Sequence, residues 1–181
     1  MIWEIFFRGC FMSNSQEDPN RAAARIRLLQ KHDAALPRLA ALMEEMQAHY
    51  EVPCPARAEI IAGLQARPQG AEILVAEQQE NVIALCAFSA IYPGPGLKPG
   101  IFLKELYVGR MSRGLGVGRA LMRELAALAG RQGLSRIDWT ADAQDDRLLA
   151  FYDEIGGVAK PEKLFYRLDG EALARLAGEA P

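Results

Sequence analysis

This chain of 181 residues has only three cysteines and two histidines. Cys10, Cys54 and Cys86 are widely separated and form no C-x-x-C pair. That excludes a disulfide framework and points to free thiols in a reducing compartment, the cytoplasm. His32 and His49 have no ligand spacing around them, so no metal site is expected. Neither charge is in excess: 21 Lys and Arg against 23 Asp and Glu leave a formal net charge of -2. Without a basic stripe carrying interleaved aromatics, no nucleic-acid partner is expected. No apolar run is long enough to cross a bilayer, so no membrane role is expected either. The opening run Met1 to Arg8 is apolar but short, and it lacks the basic n-region and small-residue cleavage site of a signal peptide. Residues 13 to 20 are polar and read as a disordered leader. The expectation is a disordered or non-native leader over residues 1–20, with Met12 as a candidate natural start, and one domain over residues 21–181.

What is present is an ordinary globular composition, 50% hydrophobic and 24% charged, at a length that buries a full core. The most informative stretch is Arg113-Gly114-Leu115-Gly116-Val117-Gly118. It follows the apolar run Ile101 to Val108 and opens an amphipathic pattern reaching about Arg131. Glycines between small apolar residues let a backbone approach a ligand with its N–H groups free, and a helix N-terminus lies directly behind them. That arrangement receives phosphate oxygens. A P-loop fails because Gly118 is followed by Arg119-Ala120. A dinucleotide fingerprint fails because its last glycine would fall on Arg119 or Leu121. The pattern that fits is Arg-x-x-Gly-x-Gly, on Arg113, Gly116 and Gly118.

Downstream, Ile137, Trp139 and Ala141 alternate with polar residues as in a half-buried strand. A polar turn, Asp142 to Asp146, leads into a short helix carrying Leu148, Leu149, Tyr152 and Ile155 that stops at Gly156-Gly157. Upstream, Arg25 to Leu29 reads as a first strand, and Leu36, Leu39, Met43, Met46 and Tyr50 mark one helical face. Arg57 to Arg67 reads as a second helix. Ala71 to Gln78 and Val82 to Tyr92 read as a hairpin joined by Gln79-Glu80-Asn81. Residues 92–100, rich in Pro and Gly, form a loop. Lys163 to Leu168 reads as a final strand and Glu171 to Leu176 as a terminal helix. The order β-α-α-β-β-β-α-β-α-β implies an α/β sandwich with a mixed, largely antiparallel central sheet flanked by helices.

Two of these segments resemble the GNAT superfamily of N-acetyltransferases. Leu106-Tyr107-Val108, the glycine turn and Ala120-Leu121-Met122 look like its motif A. Asp145, Tyr152 and Gly156 stand where motif B has Asn, then Tyr seven residues on and Gly four further; Asp replaces the usual Asn. The resemblance implies a single acyl-CoA N-acyltransferase domain with acetyl-CoA as co-substrate. Leu106, Tyr107 and Val108, in a splayed strand, would meet pantetheine. Gly114, Leu115, Gly116, Val117, Gly118 and Arg119 would meet the diphosphate, with Arg113 and Arg119 as charged contacts and Asp145 nearby. Tyr152 would protonate the departing thiolate, since a thiol of pKa about 8.5 and a phenol of about 10 can share a proton.

The attacking amine must first lose a proton, and Glu105 is the acid nearest the splay. Glu44, Glu45 and Glu51 would border the acceptor side, and the loop at 92–100 would shape its pocket. Leu103 to Val108 with Phe151-Tyr152 looks nearest to the diamine branch (spermidine/spermine and thialysine acetyltransferases). Lys104, where that branch has an acid, disfavours a polyamine. A small-molecule amine acceptor and a homodimer are the expected partners. The alternatives are acetylation of a protein amine, or a catalytically idle acyl-CoA-binding regulatory module.

Overall fold

The computed structural model describes residues 24–178. The leader expected over residues 1–20 lies outside the described residues. The elements run β1 (Arg25–Leu28), α1 (Leu36–His49), α2 (Arg57–Gln65), β2 (Ala71–Gln78), β3 (Asn81–Ile91), β4 (Gly100–Val108), α3 (Val117–Arg131), β5 (Ile137–Trp139), α4 (Asp146–Glu154) and α5 (Gly170–Leu176). The five strands form one sheet in the order β1-β2-β3-β4-β5. Its first three pairings are antiparallel and β4-β5 is parallel. This is the mixed, largely antiparallel sheet expected of the sequence.

Period-two alternation along the strands feeds two apolar layers. Leu74, Ala76, Cys86, Ile101 and Leu103 face α3, which packs Leu121, Leu125 and Leu128 against them. Val75, Leu85 and Tyr107 face the other way, onto Leu36, Leu39, Leu42 and Met46 of α1 and Leu64 of α2. The sheet is therefore covered by α3 on one face and by α1 and α2 on the other. The β2-β3 hairpin is tighter than expected. Gln79 and Glu80 both take left-handed φ, 47° and 66°, so two residues make the turn and Asn81 already pairs with Gln78 in β3.

One expected element does not form in the chain. Residues 163–168, read as a final strand, make no pairing, and the sheet ends at β5. Apolar and aromatic residues such as Leu164, Phe165 and Tyr166 give a segment the propensity for a strand, but a strand exists only against a neighbour that takes its backbone groups.

The corner from β1 to α1 is held by Arg27. Its guanidinium donates to Asp33 at 2.6 and 2.9 Å and to Glu77 at 2.8 Å through each of two nitrogens. Asp33 also accepts the amides of Gln30 and Ala35. The guanidinium and these amides hold the Asp33 carboxyl well below the usual carboxylate range. A depressed pKa stabilises the fold above the unfolded value of about 4 and loses that contribution as pH falls. Asp33→Asn should therefore cost about 2 kcal/mol in urea unfolding at pH 7. It should also flatten the loss of stability below pH 4; a wild-type-like acid limb would contradict the assignment.

Candidate active site

The site begins with a register fault in β4. Ala87 pairs with Glu105 but Phe88 pairs with Leu103, so Lys104 is an extra residue, a β-bulge. Side-chain alternation changes phase there. Ile101 and Leu103 face α3, and after the bulge Leu106 and Val108 pack on that same layer. Glu105 and Tyr107 are thereby turned toward α1. The Tyr107 hydroxyl donates to Glu45 at 3.0 Å, and the Tyr50 hydroxyl donates to Glu105 at 2.8 Å. Glu45 also takes the Arg110 amide at 2.7 Å, which ties α1 to the end of β4. Glu44 is paired with Arg57 of α2.

The same strand is open on its other edge. β5 pairs with β4 only from Ile101–Ile137 to Leu103–Trp139. Beyond the bulge, Glu105, Leu106, Tyr107 and Val108 remain hydrogen-bonded to β3 alone. This is the splay that the sequence resemblance implied. Extended backbone groups along it are available to a ligand, although the Val108 carbonyl already accepts Arg113 Nε at 3.0 Å. The Arg113 guanidinium lies over the Tyr107 ring, 5.3 Å from its centroid.

The glycine turn continues from this edge. Gly114 and Gly116 take φ of +76° and +79°, and a Cβ at either would meet nothing within 4 Å. Their requirement is conformational: the left-handed backbone turns the chain so that α3 starts at Val117. Gly116 caps the helix without a side-chain bond. Among the described residues, no backbone acceptor takes the amides of Gly114, Leu115, Gly116, Val117, Gly118 or Arg119. The Val117 side chain is buried and Leu115 is half exposed. Arg119 reaches across to Glu154 of α4 at 2.7 Å.

α4 brings the second motif to the same place. A Cβ on Gly118 would lie 3.6 Å from Val108 and 3.7 Å from Phe151, so β4, α3 and α4 converge there. Asp145 Oδ1 accepts the Leu148 amide at 2.9 Å, the work of an N-cap, which any side-chain oxygen acceptor can do. Asp in place of Asn thus keeps the helix start. At the other end Gly157 donates to the Tyr152 carbonyl at 2.8 Å. A Cβ there would lie 2.9 Å from that oxygen and 3.0 Å from Trp139, so only glycine lets β5 and α4 close together.

Tyr152 is held by these contacts. Its ring lies 5.1 Å from that of Trp139 and 5.3 Å from that of Phe151, and 9% of its surface is exposed. Among the described residues its hydroxyl makes no hydrogen bond, and it is not a sealed, unsatisfied group. Burial raises its pKa, and the Glu105 carboxylate and Cys86 add to the rise, so the phenol keeps its proton at neutral pH. Cys86, across the β3-β4 pairing from Leu106, is pushed up to about 12 by burial and is an inert thiol. Burial, and then the bond to Glu105, raises the Tyr50 phenol as well.

The residues expected at the site are thus gathered around the end of β4. Tyr50 was not foreseen there; its place on the apolar stripe of α1 signalled packing, yet 49% of it is exposed and it meets Glu105. The donor set fits a diphosphate-bearing acyl carrier: six unpaired amides at a helix N-terminus, then an open strand edge for an amide-containing arm. Among the described residues, no group of three His, Cys, Asp or Glu gathers to hold a metal. No helix of those residues is long and apolar enough to cross a membrane.

Comparison with known proteins agrees with this geometry. The model of the acetyltransferase (GNAT) family matches residues 39–156, and the chain belongs to that family. It is similar to the thialysine N-epsilon-acetyltransferase of Caenorhabditis elegans, 32% identical over 82 residues, covering 44% of this chain and 51% of that protein. It is also similar to an L-ornithine N5-acetyltransferase of Arabidopsis thaliana, 26% identical over 92 residues, covering 51% of this chain and 40% of that protein. The chain thus spans about half the length of the curated relatives it matches. Among solved structures, an integron cassette protein of V. cholerae superposes with a TM-score of 0.78 at 26% identity, over 86% of this chain and 98% of that one. An aminoglycoside N-acetyltransferase in complex with CoA has the same fold, with a TM-score of 0.65 at 15% identity over 81% of this chain and 97% of that one.

Proposed function

We propose that the protein is an acetyl-CoA-dependent N-acetyltransferase that moves acetyl to a primary amine of a small molecule by direct attack in a ternary complex. The observation that carries this reading is the run of unpaired amides from Gly114 to Arg119, beside the point where β5 leaves β4. Acetyl-CoA supplies the activated acyl group as its thioester. The chain's own residues do the rest. The amides from Gly114 to Arg119 hold the diphosphate, and the open edge from Leu106 to Val108 takes the pantetheine arm. Arg113 contributes charge at the same end while it braces Val108. Asp145 acts here by fixing the start of α4 and, with it, the position of Tyr152.

Glu105 receives the proton that the incoming ammonium must lose, directly or through a water. Such an amine has a pKa near 10.4 and is unreactive while charged. Tyr50, donating to the same carboxylate, orients it. Tyr152 gives its phenolic proton to the sulfur as the carbon–sulfur bond breaks, and the acylated nitrogen sheds its remaining extra proton, which returns through water to the phenolate. Backbone N–H groups at Leu106 and Tyr107 are the donors for charge developing on the carbonyl oxygen. Two relatives named for thialysine and ornithine support a small amine acceptor. The exposed Lys104 beside Glu105 weighs against a long polycation. The unpaired thiols of Cys54 and Cys86 suit a cytoplasmic setting.

Calorimetry with acetyl-CoA, followed by free-thiol release across a panel of amino-acid-like amines, diamines and aminoglycosides, tests the reading. Saturable binding with turnover on at least one small amine is the expected result. No affinity for any acyl-CoA overturns it entirely. Tight binding with no thiol release on any amine or peptide overturns the enzyme and leaves an acyl-CoA-binding regulatory module.

A further inference from the structure

The bulge in β4 does more than turn Glu105 toward α1. Leu103 and Leu106 both pack on the α3 layer, so the two residues between them, Lys104 and Glu105, share the opposite face. A cation and an anion thus stand side by side where strict alternation would have separated them. Neither is neutralised. Among the described residues Lys104 makes no ion pair, and its side chain is exposed. Asp138 of β5, paired with Phe102 on the same face, is already held by Arg136 at 2.7 Å. Glu105 has no cationic partner either; the Tyr50 hydroxyl donates to its Oε1, and among the described residues nothing takes Oε2. Phe102, two residues before Lys104, faces the same way, is half-buried and belongs to neither apolar layer.

We propose that Lys104 is a specificity-determining residue: it receives a carboxylate of the acceptor, which is therefore a zwitterion, an amino acid presenting its reacting amine to Glu105. This rests on the transferase reading and narrows it. An unpaired anion and an unpaired cation on one shelf complement a small molecule that carries both charges. A diamine would satisfy Glu105 with one end, but its second ammonium would meet Lys104, a like charge with no counter-ion. A carboxylate in that place is attracted. Lys104 also suits the task mechanically. Its nitrogen rides on a flexible alkyl stem and adjusts to the length of the acceptor, whereas Glu105 is held by Tyr50. The Phe102 ring gives the acceptor's methylenes an apolar floor between the two charged ends.

The test uses the full chain and matched acceptors that differ by one carboxylate: lysine against cadaverine, ornithine against putrescine, alanine against ethylamine. Thiol release from acetyl-CoA should give kcat/KM about 10- to 100-fold higher for the amino acid in at least one pair, with no pair reversed. Lys104 is exposed, so its variants should keep the fold by circular dichroism. Lys104→Gln should lower kcat/KM for the amino acid by that factor and raise it for the matching diamine, and Lys104→Glu should reverse the preference. A merely structural residue would move both members of a pair in one direction. Amines used as well as their amino acids, turnover confined to aminoglycosides or peptide amines, or a preference that survives Lys104→Gln overturns this inference and leaves the transferase standing. No turnover on any amine removes the transferase reading, and this inference with it.

Discussion

Replacing Tyr152 with Phe is expected to lower turnover at least tenfold, and about 10² if the phenol is the only acid that reaches the sulfur. The ring is packed between Trp139 and Phe151, so removing one oxygen leaves the packing in place. That oxygen has no protein partner among the described residues, so nothing structural is lost with it. Melting temperature and acetyl-CoA affinity should therefore stay near those of the parent while kcat falls, the signature of an interaction made in the transition state. The raised pKa fixes the pH behaviour too. The proton-bearing form persists up to and beyond the ordinary phenol value of about 10, so the parent enzyme should not lose activity between pH 7 and 9. Steady-state thiol release with a saturating amine is the measurement. Unchanged kcat in the Phe variant would mean that solvent or another acid protonates the sulfur, and Tyr152 would be only a packing residue.

Much of this site was legible from residues alone, because its parts are local. A glycine turn, a helix N-terminus and a helix stopped by glycine are written within a few residues each. Their physics does not depend on distant chain. The acceptor side was not legible in that way. Strict alternation from Ile101 and Leu103 would send Glu105 and Tyr107 toward α3. The bulge at Lys104 reverses this and brings them to Glu45 and Tyr50, more than fifty positions away in sequence. A one-residue register fault leaves no mark in composition or period, so Tyr50 read as one more apolar face residue. The segment at 163–168 failed for the complementary reason. Its apolar and aromatic residues do favour a strand, but pairing depends on an acceptor edge that the sequence cannot locate, and within the described chain it has none.

The second large effect is expected at the glycine turn. It separates two reasons for having glycine that a sequence pattern runs together. At Gly116 the reason is φ, +79°, with open space where a Cβ would sit. Valine there is β-branched and opposed to left-handed backbone, so the turn either holds a strain of about 1–2 kcal/mol or relaxes and swings its amides away. Since those amides are the proposed diphosphate ligands, relaxation should weaken acetyl-CoA about 10- to 100-fold, or about 1.4–2.8 kcal/mol. At Gly118 the reason is different. Its backbone is helical, and an added Cβ would make ordinary contacts of 3.6 and 3.7 Å with Val108 and Phe151. Gly118→Ala should therefore cost much less affinity than Gly116→Val, because its methyl points into the junction of β4, α3 and α4 and away from the turn's free amides. Isothermal titration of both variants, with circular dichroism to show that α3 is intact, reads the contrast directly. Equal losses in the two, or retention of full affinity in Gly116→Val, would show that backbone amides held by left-handed glycines are not what grips the co-substrate.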